Sequence, residues 1–317
     1  MSNRTGTMQS DTANAGAATL ADAAHEREQL KRSKSFYQRA WRTFRHDKVA
    51  MTALCVSVLI LIFSFGAPLV SMLTGHSYAK GDLRLQLLAP FQTSDHILGT
   101  DANGRDILTR LAYGGRVSMM VAVLSLVFTL AIGSTVGSIA GYFGGFLDNV
   151  LMRFVDMIIS IPGITLLILI SVWWRPGPVG LAVVIAATAW TGVSRLIRGE
   201  VLSLRHREFV EAARLIGASD RRIIISHIFP NVLSIIIVWA SLALPALIIT
   251  EATLSYLGFG VRIPIPSWGN MLNEAYQFYT QSWTYAFLPG FFIFMAALCF
   301  NLVGNGLRDA LDPRLNN

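Results

Sequence analysis

The 317-residue chain is 53% hydrophobic and only 14% charged, with a mean hydropathy of +0.51, which excludes a soluble globular protein. Its two cysteines, Cys55 and Cys299, both fall inside apolar runs, which excludes a disulfide framework or a cysteine metal cluster. The formal net charge of +7 does not point to nucleic acid, because the basic residues flank hydrophobic runs and form no basic domain. The chain reads as an all-α membrane protein.

Residues 1–34 are rich in Ala, Ser, Thr, Asn and charge, carry no apolar stretch, and are expected to be a disordered cytoplasmic tail with no cleavable signal peptide. From Ser35 to Asp47, Phe36, Tyr37, Ala40, Trp41 and Phe44 recur at helical spacing among Arg39, Arg42 and Arg45. That pattern predicts an amphipathic helix lying along an anionic membrane surface, so lipid is a direct partner. A hydrocarbon core of about 30 Å needs about 20 apolar residues as helix. Six runs of that order predict spans at about 49–73, 117–141, 151–174, 178–197, 229–250 and 284–306. With the N-terminus inside, 19 of the 26 Lys and Arg residues fall on the inner side and 7 on the outer, so both termini are expected in the cytoplasm.

Between the first two spans, Leu98 to Met119 read LGTDANGRDILTRLAYGGRVSM. Asp101, Asn103 and Gly104 signal a turn, and Arg105, Asp106 and Arg110 place charge on the approach to span 2, which predicts an ordered extracytoplasmic loop. Within span 2, Gly133, Gly137, Gly141 and Gly145 recur every four residues beside Ser134 and Ser138, a small-residue ridge against which another helix should pack closely. At the start of span 3, Arg153 and Asp156 are expected to neutralise each other one helical turn apart. Glu251 is expected to cap the outer end of span 5, and Pro245 to kink that span.

Glu208 to Asn231, EFVEAARLIGASDRRIIISHIFPN, is a charged helical interruption between spans 4 and 5. A short helix there would present Phe209, Ala213 and Ile216 on one face, with Glu211, Ala212 and Ala213 keeping the surface low for close approach by another protein. Gly217 should end that helix, Ser219 or Asp220 should cap a second short one set at an angle to it, and Pro230 should open the next apolar run.

This last run resembles the EAA loop of inner-membrane permease subunits of ABC importers, a pattern of EAA, three residues, Gly, nine residues, Ile, one residue and Leu-Pro. Glu211, Ala212, Ala213, Gly217 and Pro230 match in order and spacing; His227 and Phe229 replace the Ile and Leu. The ending HIFPN is similar to the peptide and nickel branch of that family. Other blocks resemble the C-type subunits of dipeptide and oligopeptide permeases. They are the Leu98–Met119 run, then Asp148, Arg153, Asp156, Ser160 and Pro162 in DNVLMRFVDMIISIPGI, EATLSYLGFG from Glu251, PSWGNML with Pro266, Ser267, Trp268 and Gly269, and NLVGNGLRDALDPRL from Asn301.

The resemblance implies a type I importer permease with six spans in the bacterial inner membrane: an outer section at 35–112, a five-helix core at 113–306 and a tail at 307–317. It implies a cytoplasmic coupling loop at 198–228, in which Phe209, Glu211, Ala212, Ala213, Gly217, Ala218, His227 and Pro230 dock a separate ATPase. It further implies a B-type permease subunit as the other half of a heterodimer, two ATPase subunits and an extracytoplasmic solute-binding protein.

The chain itself carries no engine. No GxxxxGK[ST] loop occurs, and none of Lys31, Lys34, Lys48 and Lys80 follows a glycine. The six histidines, His25, His46, His76, His96, His206 and His227, show no metal-ligand or triad spacing. No catalytic, metal or cofactor site is therefore expected here; ATP and Mg would be bound by the partner ATPases. The expected cargo is a di- or oligopeptide, with chelated nickel as the alternative within the same architecture and an ion-driven carrier as the alternative outside it.

Overall fold

The computed structural model describes residue 38 and residues 41–311; the expected tail at 1–34 and residues 312–317 lie outside it. Of the expected interfacial helix, residues 41–46 are helical, with Phe44 buried and Trp41 exposed and the two rings stacked at 6.0 Å. Phe44 packs against Ala50 and Ala310, so this element is fastened to the first and last long helices.

Asp47 starts α1 (Lys48–Phe65) by accepting the Val49 and Ala50 backbone N–H groups at 2.9 and 3.1 Å. Gly66 ends α1, and α2 (Ala67–Thr74) follows with a proline in its first turn, so the expected span 49–73 is two helices in series. Span 2 is α3 (Ile107–Phe143), capped by the Asp106 carboxylate on the Thr109 N–H at 2.8 Å. It begins ten residues before the expected 117, because its first turns are buried in protein and their charge is paired there.

The expected third span is broken. α4 (Gly145–Ile159) and α5 (Gly163–Trp174) meet at 85°, since Pro162 has no N–H to continue the ladder and its ring disfavours helical backbone at Ile161. α6 (Pro178–Leu204) runs seven residues past the expected end. Its Arg195 and Arg198 reach Asp156 and Asp148 of α4, each at 2.5 Å, so the charges are neutralised across helices and do not stop the helix. The expected Arg153–Asp156 pair is therefore replaced: Asp156 pairs with Arg195, and Arg153 is exposed with no ion pair among the described residues.

α7 (Glu208–Leu215) is short. After Gly217, one turn at Asp220–Arg222 and a π-helical stretch at Ile223–Ile228 run directly into α8 (Phe229–Tyr256), giving one 37-residue helix from Asp220 to Tyr256. The expected second short helix is thus the foot of span 5. α8 continues through Pro245. α9 (Trp268–Tyr276) opens on a capping box in which Ser267 and Asn270 satisfy each other's backbone N–H groups, and α10 (Trp283–Leu311) closes the bundle. The sequence boundaries at 112 and 306 fall inside α3 and α10 and mark no element end.

Backbone-to-backbone packing sets the core. A Cβ placed on Gly137 would stand 2.5 Å from the Ser194 carbonyl oxygen, one on Gly141 2.8 Å from that of Arg198, and one on Gly133 2.9 Å from that of Trp190. The ridge lies along α6, where small residues let apolar helices approach in lipid. On the other side of the bundle, Gly304 of α10 presses on Ser241 of α8.

The loop before α3 is anchored by charge buried away from both ends of the chain. Asp101 accepts from Arg105 Nε and Arg110 Nη1, both at 2.6 Å, and Glu274 of α9 accepts from Arg105 at 2.6 Å and forms an ion pair with Arg110 at 2.9 Å. The Tyr285 hydroxyl adds a donor to Glu274 at 3.2 Å. Two cations and two anions balance, which is the condition under which buried charge is tolerated. Trp268 wedges α9 onto α3 by donating its indole N–H to the Leu111 carbonyl at 3.0 Å.

Candidate functional site

The polar turn after α6 is assembled from three elements. Val210 and Ala213 of α7 are buried against Val201 and Ile197 of α6 and against Ile223, Ile228 and Val232 at the foot of α8. The helical period then turns the opposite face outward: Glu208, Phe209, Glu211, Ala212, Leu215 and Ile216 are exposed, Leu215 by 88% and Ile216 by 85%. The expected face of Phe209, Ala213 and Ile216 is therefore split, because the register that buries Val210 takes Ala213 inward with it.

The end of α7 is a complete Schellman motif: Gly217 N–H donates to the Arg214 carbonyl at 2.9 Å and Ala218 N–H to that of Ala213 at 3.0 Å. Gly217 has φ +82°, the left-handed backbone that only glycine adopts without penalty. Ala218 is half-buried against the α7–α8 cluster. His227 lies half-buried in the π-helical stretch, and its carbonyl accepts the Asn231 side-chain amide at 2.6 Å. Pro230 sits in the first turn of α8.

A further contact was invisible in the sequence. Tyr142, at the last turn of α3, donates to the Asp220 carboxylate at 2.6 Å, and the Arg214 guanidinium lies over its ring at 5.2 Å. Arg205 clamps the same corner by donating to the Gly141 carbonyl at 3.2 Å. The exposed tip is thus tied through Tyr142 to α3 and joined to the foot of α8 by the Gly217 turn. Only the Tyr142 position next to the glycine ridge could have hinted at this, and nothing in its spacing pairs it with Asp220 78 residues away.

Glu251 is no helix cap. It is fully buried within α8, accepts the Ser255 hydroxyl at 2.7 Å, and the helix continues past it to Tyr256. The histidine spacing also concealed a cluster: His76, His96 and Asp106 each bring a ligand atom to within 4.8 Å of the others.

Among the described residues, five apolar helices long enough to cross a bilayer and one bent pair, gathered around small-residue contacts, define a multi-pass membrane protein. A chain of the inward-facing MetNI methionine ABC transporter shares this fold at TM-score 0.50 and 20% identity, over 62% of this chain and 94% of that one. The profile of the family described as binding-protein-dependent transport system inner membrane component matches residues 133–317, and that of the N-terminal transmembrane domain of oligopeptide transport permease C matches residues 35–90. The chain belongs to the binding-protein-dependent transport system inner membrane component family, in the branch of the C-type peptide permeases.

Among relatives, it is 41% identical to the oligopeptide transport system permease protein OppC of Escherichia coli K12, over 89% of this chain and 92% of that protein. It is 40% identical to OppC of Haemophilus influenzae over 89% of each. The dipeptide transport system permease protein DppC of Bacillus subtilis is 37% identical over 92% of this chain and 90% of that protein.

Proposed function

We propose that this chain is one of two permease subunits of an ATP-driven importer that moves di- or oligopeptides into the bacterial cytoplasm. Family membership and the peptide names of the relatives support this reading, and with them the nickel and ion-driven alternatives lose their footing. A B-type permease subunit would complete the pathway, two ATPase subunits would bind ATP and Mg, and an extracytoplasmic binding protein would deliver the peptide. The chain performs no covalent chemistry in this reading.

The observation that carries the proposal is the mounting of α7: an exposed tip at Leu215 and Ile216 on a helix whose inner face is packed against α6 and the foot of α8. When the ATPases close, a subunit gripping that tip moves α7. The displacement passes through the Gly217 turn into the 37-residue Asp220–Tyr256 helix, and through Asp220 to Tyr142 and α3. The bundle then exchanges inward-open for outward-open packing, a shift between two discrete arrangements and not a continuous deformation. The positive-inside count supports an inner-side position for α7 and both termini.

The test is uptake by the full complex reconstituted with ATP inside the vesicles. Radiolabelled di- and oligopeptides should accumulate with ATP and its binding protein, and Glu211→Lys, which reverses charge on the exposed face, should lower peptide moved per ATP hydrolysed. Accumulation of chelated nickel without peptide uptake, or unaltered coupling in Glu211→Lys, would contradict the reading.

A further inference from the structure

The cluster of His76, His96 and Asp106 stands at the far end of α3 from the coupling corner. α3 has 37 residues, so about 55 Å separates its Asp106 cap from Tyr142 at 1.5 Å per residue. The three residues come from separate pieces of chain: His76 follows α2, His96 lies in the loop, and Asp106 caps α3. His96 and Asp106 are buried, while His76 is partly open to solvent, which gives an ion a way in.

His76 and Asp106 are each already oriented by a contact outside the set. Asp106 Oδ2 accepts the Thr109 N–H at 2.8 Å, and Oδ1 accepts the His96 Nδ1–H at 3.1 Å, a proton that an entering metal ion displaces to solvent. His76 Nε2 lies 3.0 Å from the Asp95 carbonyl, which can only accept; that nitrogen therefore carries the proton, and Nδ1 keeps its lone pair. A histidine whose other N–H is held by a backbone carbonyl is the arrangement that supports metal ligation. The two imidazole rings stack with centroids 4.2 Å apart.

We propose that His76, His96 and Asp106 form a binding site for a borderline divalent transition ion, zinc foremost, on the end of the bundle opposite α7. Two imidazole nitrogens and one carboxylate oxygen match zinc and its neighbours, whereas calcium and magnesium call for an all-oxygen shell. Ligand pairs around tetrahedral zinc stand about 3.4 Å apart at metal–nitrogen bonds of about 2.0 to 2.1 Å. His96 and Asp106 nearly meet that spacing, and a swing of the His76 ring closes the set, with water as fourth ligand. The ion staples the end of α2 and the loop to the first turn of α3, beside the Asp101–Arg105–Arg110–Glu274 network. Because the unfolded chain lacks the site, zinc stabilises this end of the protein. The ion is a resident of the fold and not cargo.

The test uses the full transporter complex purified through a tag without histidine, stripped with chelator and titrated with zinc against a chromophoric competitor, then with cobalt for its visible spectrum. The unaltered chain should take up one ion with a tetrahedral cobalt band and melt at a higher temperature with zinc. His76→Gln, at the solvent-facing ligand, leaves the His96–Asp106 contact in place and should weaken binding by about 100-fold or more. His76→Cys, which restores a ligand, should regain binding with a cobalt band of thiolate character. His206→Gln, near α7, should change nothing. Equal zinc uptake by the unaltered chain and His76→Gln, or no uptake by either, would overturn the proposal.

Discussion

Gly217 offers a measurement of how firmly the tip of α7 must be held. Its φ is +82°, and a Cβ built on it meets no atom within 4 Å, so Gly217→Ala carries no collision and its whole cost is the left-handed backbone. That cost is about 1–2 kcal/mol, or about a 5- to 30-fold shift toward the opened cap. Gly217→Asn should cost less, because asparagine visits that region more readily. Gly217→Pro should cost about 3 kcal/mol or more, since proline holds φ near −65° and removes the N–H that donates to Arg214. Hydrogen exchange at the Ala218 amide, which closes the Schellman motif, reads the cap in the assembled complex, and peptide moved per ATP reads its use. Protection and coupling should both fall in the order Gly, Asn, Ala, Pro. An alanine variant as protected as glycine, or a proline variant that transports at the unaltered ratio, would refute the reasoning.

Asp101→Leu leaves Arg110, whose side chain is 1% exposed, sharing Glu274 with Arg105. One buried cation without a partner should cost about 3–5 kcal/mol, seen as a lower melting temperature and less inserted protein, and an unchanged melting curve would contradict the charge balance described above. Gly137→Leu drives a side chain into the Ser194 carbonyl and should destabilise the α3–α6 pair by about 1–3 kcal/mol or more, while Gly199→Ala, which meets nothing within 4 Å, should be silent in the same thermal assay. Tyr142→Phe removes a hydrogen bond to a carboxylate; because Asp220 is exposed, the expected loss is about 1 kcal/mol, with intact insertion and fewer peptides moved per ATP. Coupling unaffected by Tyr142→Phe would mean that α3 takes no force through Asp220.

Long-period signals were legible in the sequence, and contacts between distant segments were not. The apolar runs gave the spans because hydrocarbon admits little else, and glycines at every fourth position of α3 marked the face that meets α6. The turn at Gly217 could be read because left-handed backbone selects glycine. Where the reading of the fold departed from the structure, a partner far along the chain decided the matter. Asp156 chose Arg195 of α6 over its neighbour Arg153, and Arg110 could lie inside a helix because Asp101 and Glu274 neutralise it. The break between α4 and α5 was within reach, since Pro162 stood in the run, but hydropathy averaged over a window passes over a single residue. The face of α7 was misread because alanines at 212 and 213 look alike in sequence, whereas the α6 and α8 side chains admit only Ala213.

The central claim is that the tip of α7 lies on the cytoplasmic side and is gripped by a nucleotide-hydrolysing subunit. A photoreactive residue placed at Leu215, which touches little of its own chain, tests both halves at once in intact cells. Irradiation should join this chain to one ATPase subunit, with a yield that changes when ATP is trapped in the complex. Crosslinks to an extracytoplasmic protein instead, or to no nucleotide-hydrolysing partner while uptake persists, would contradict the account.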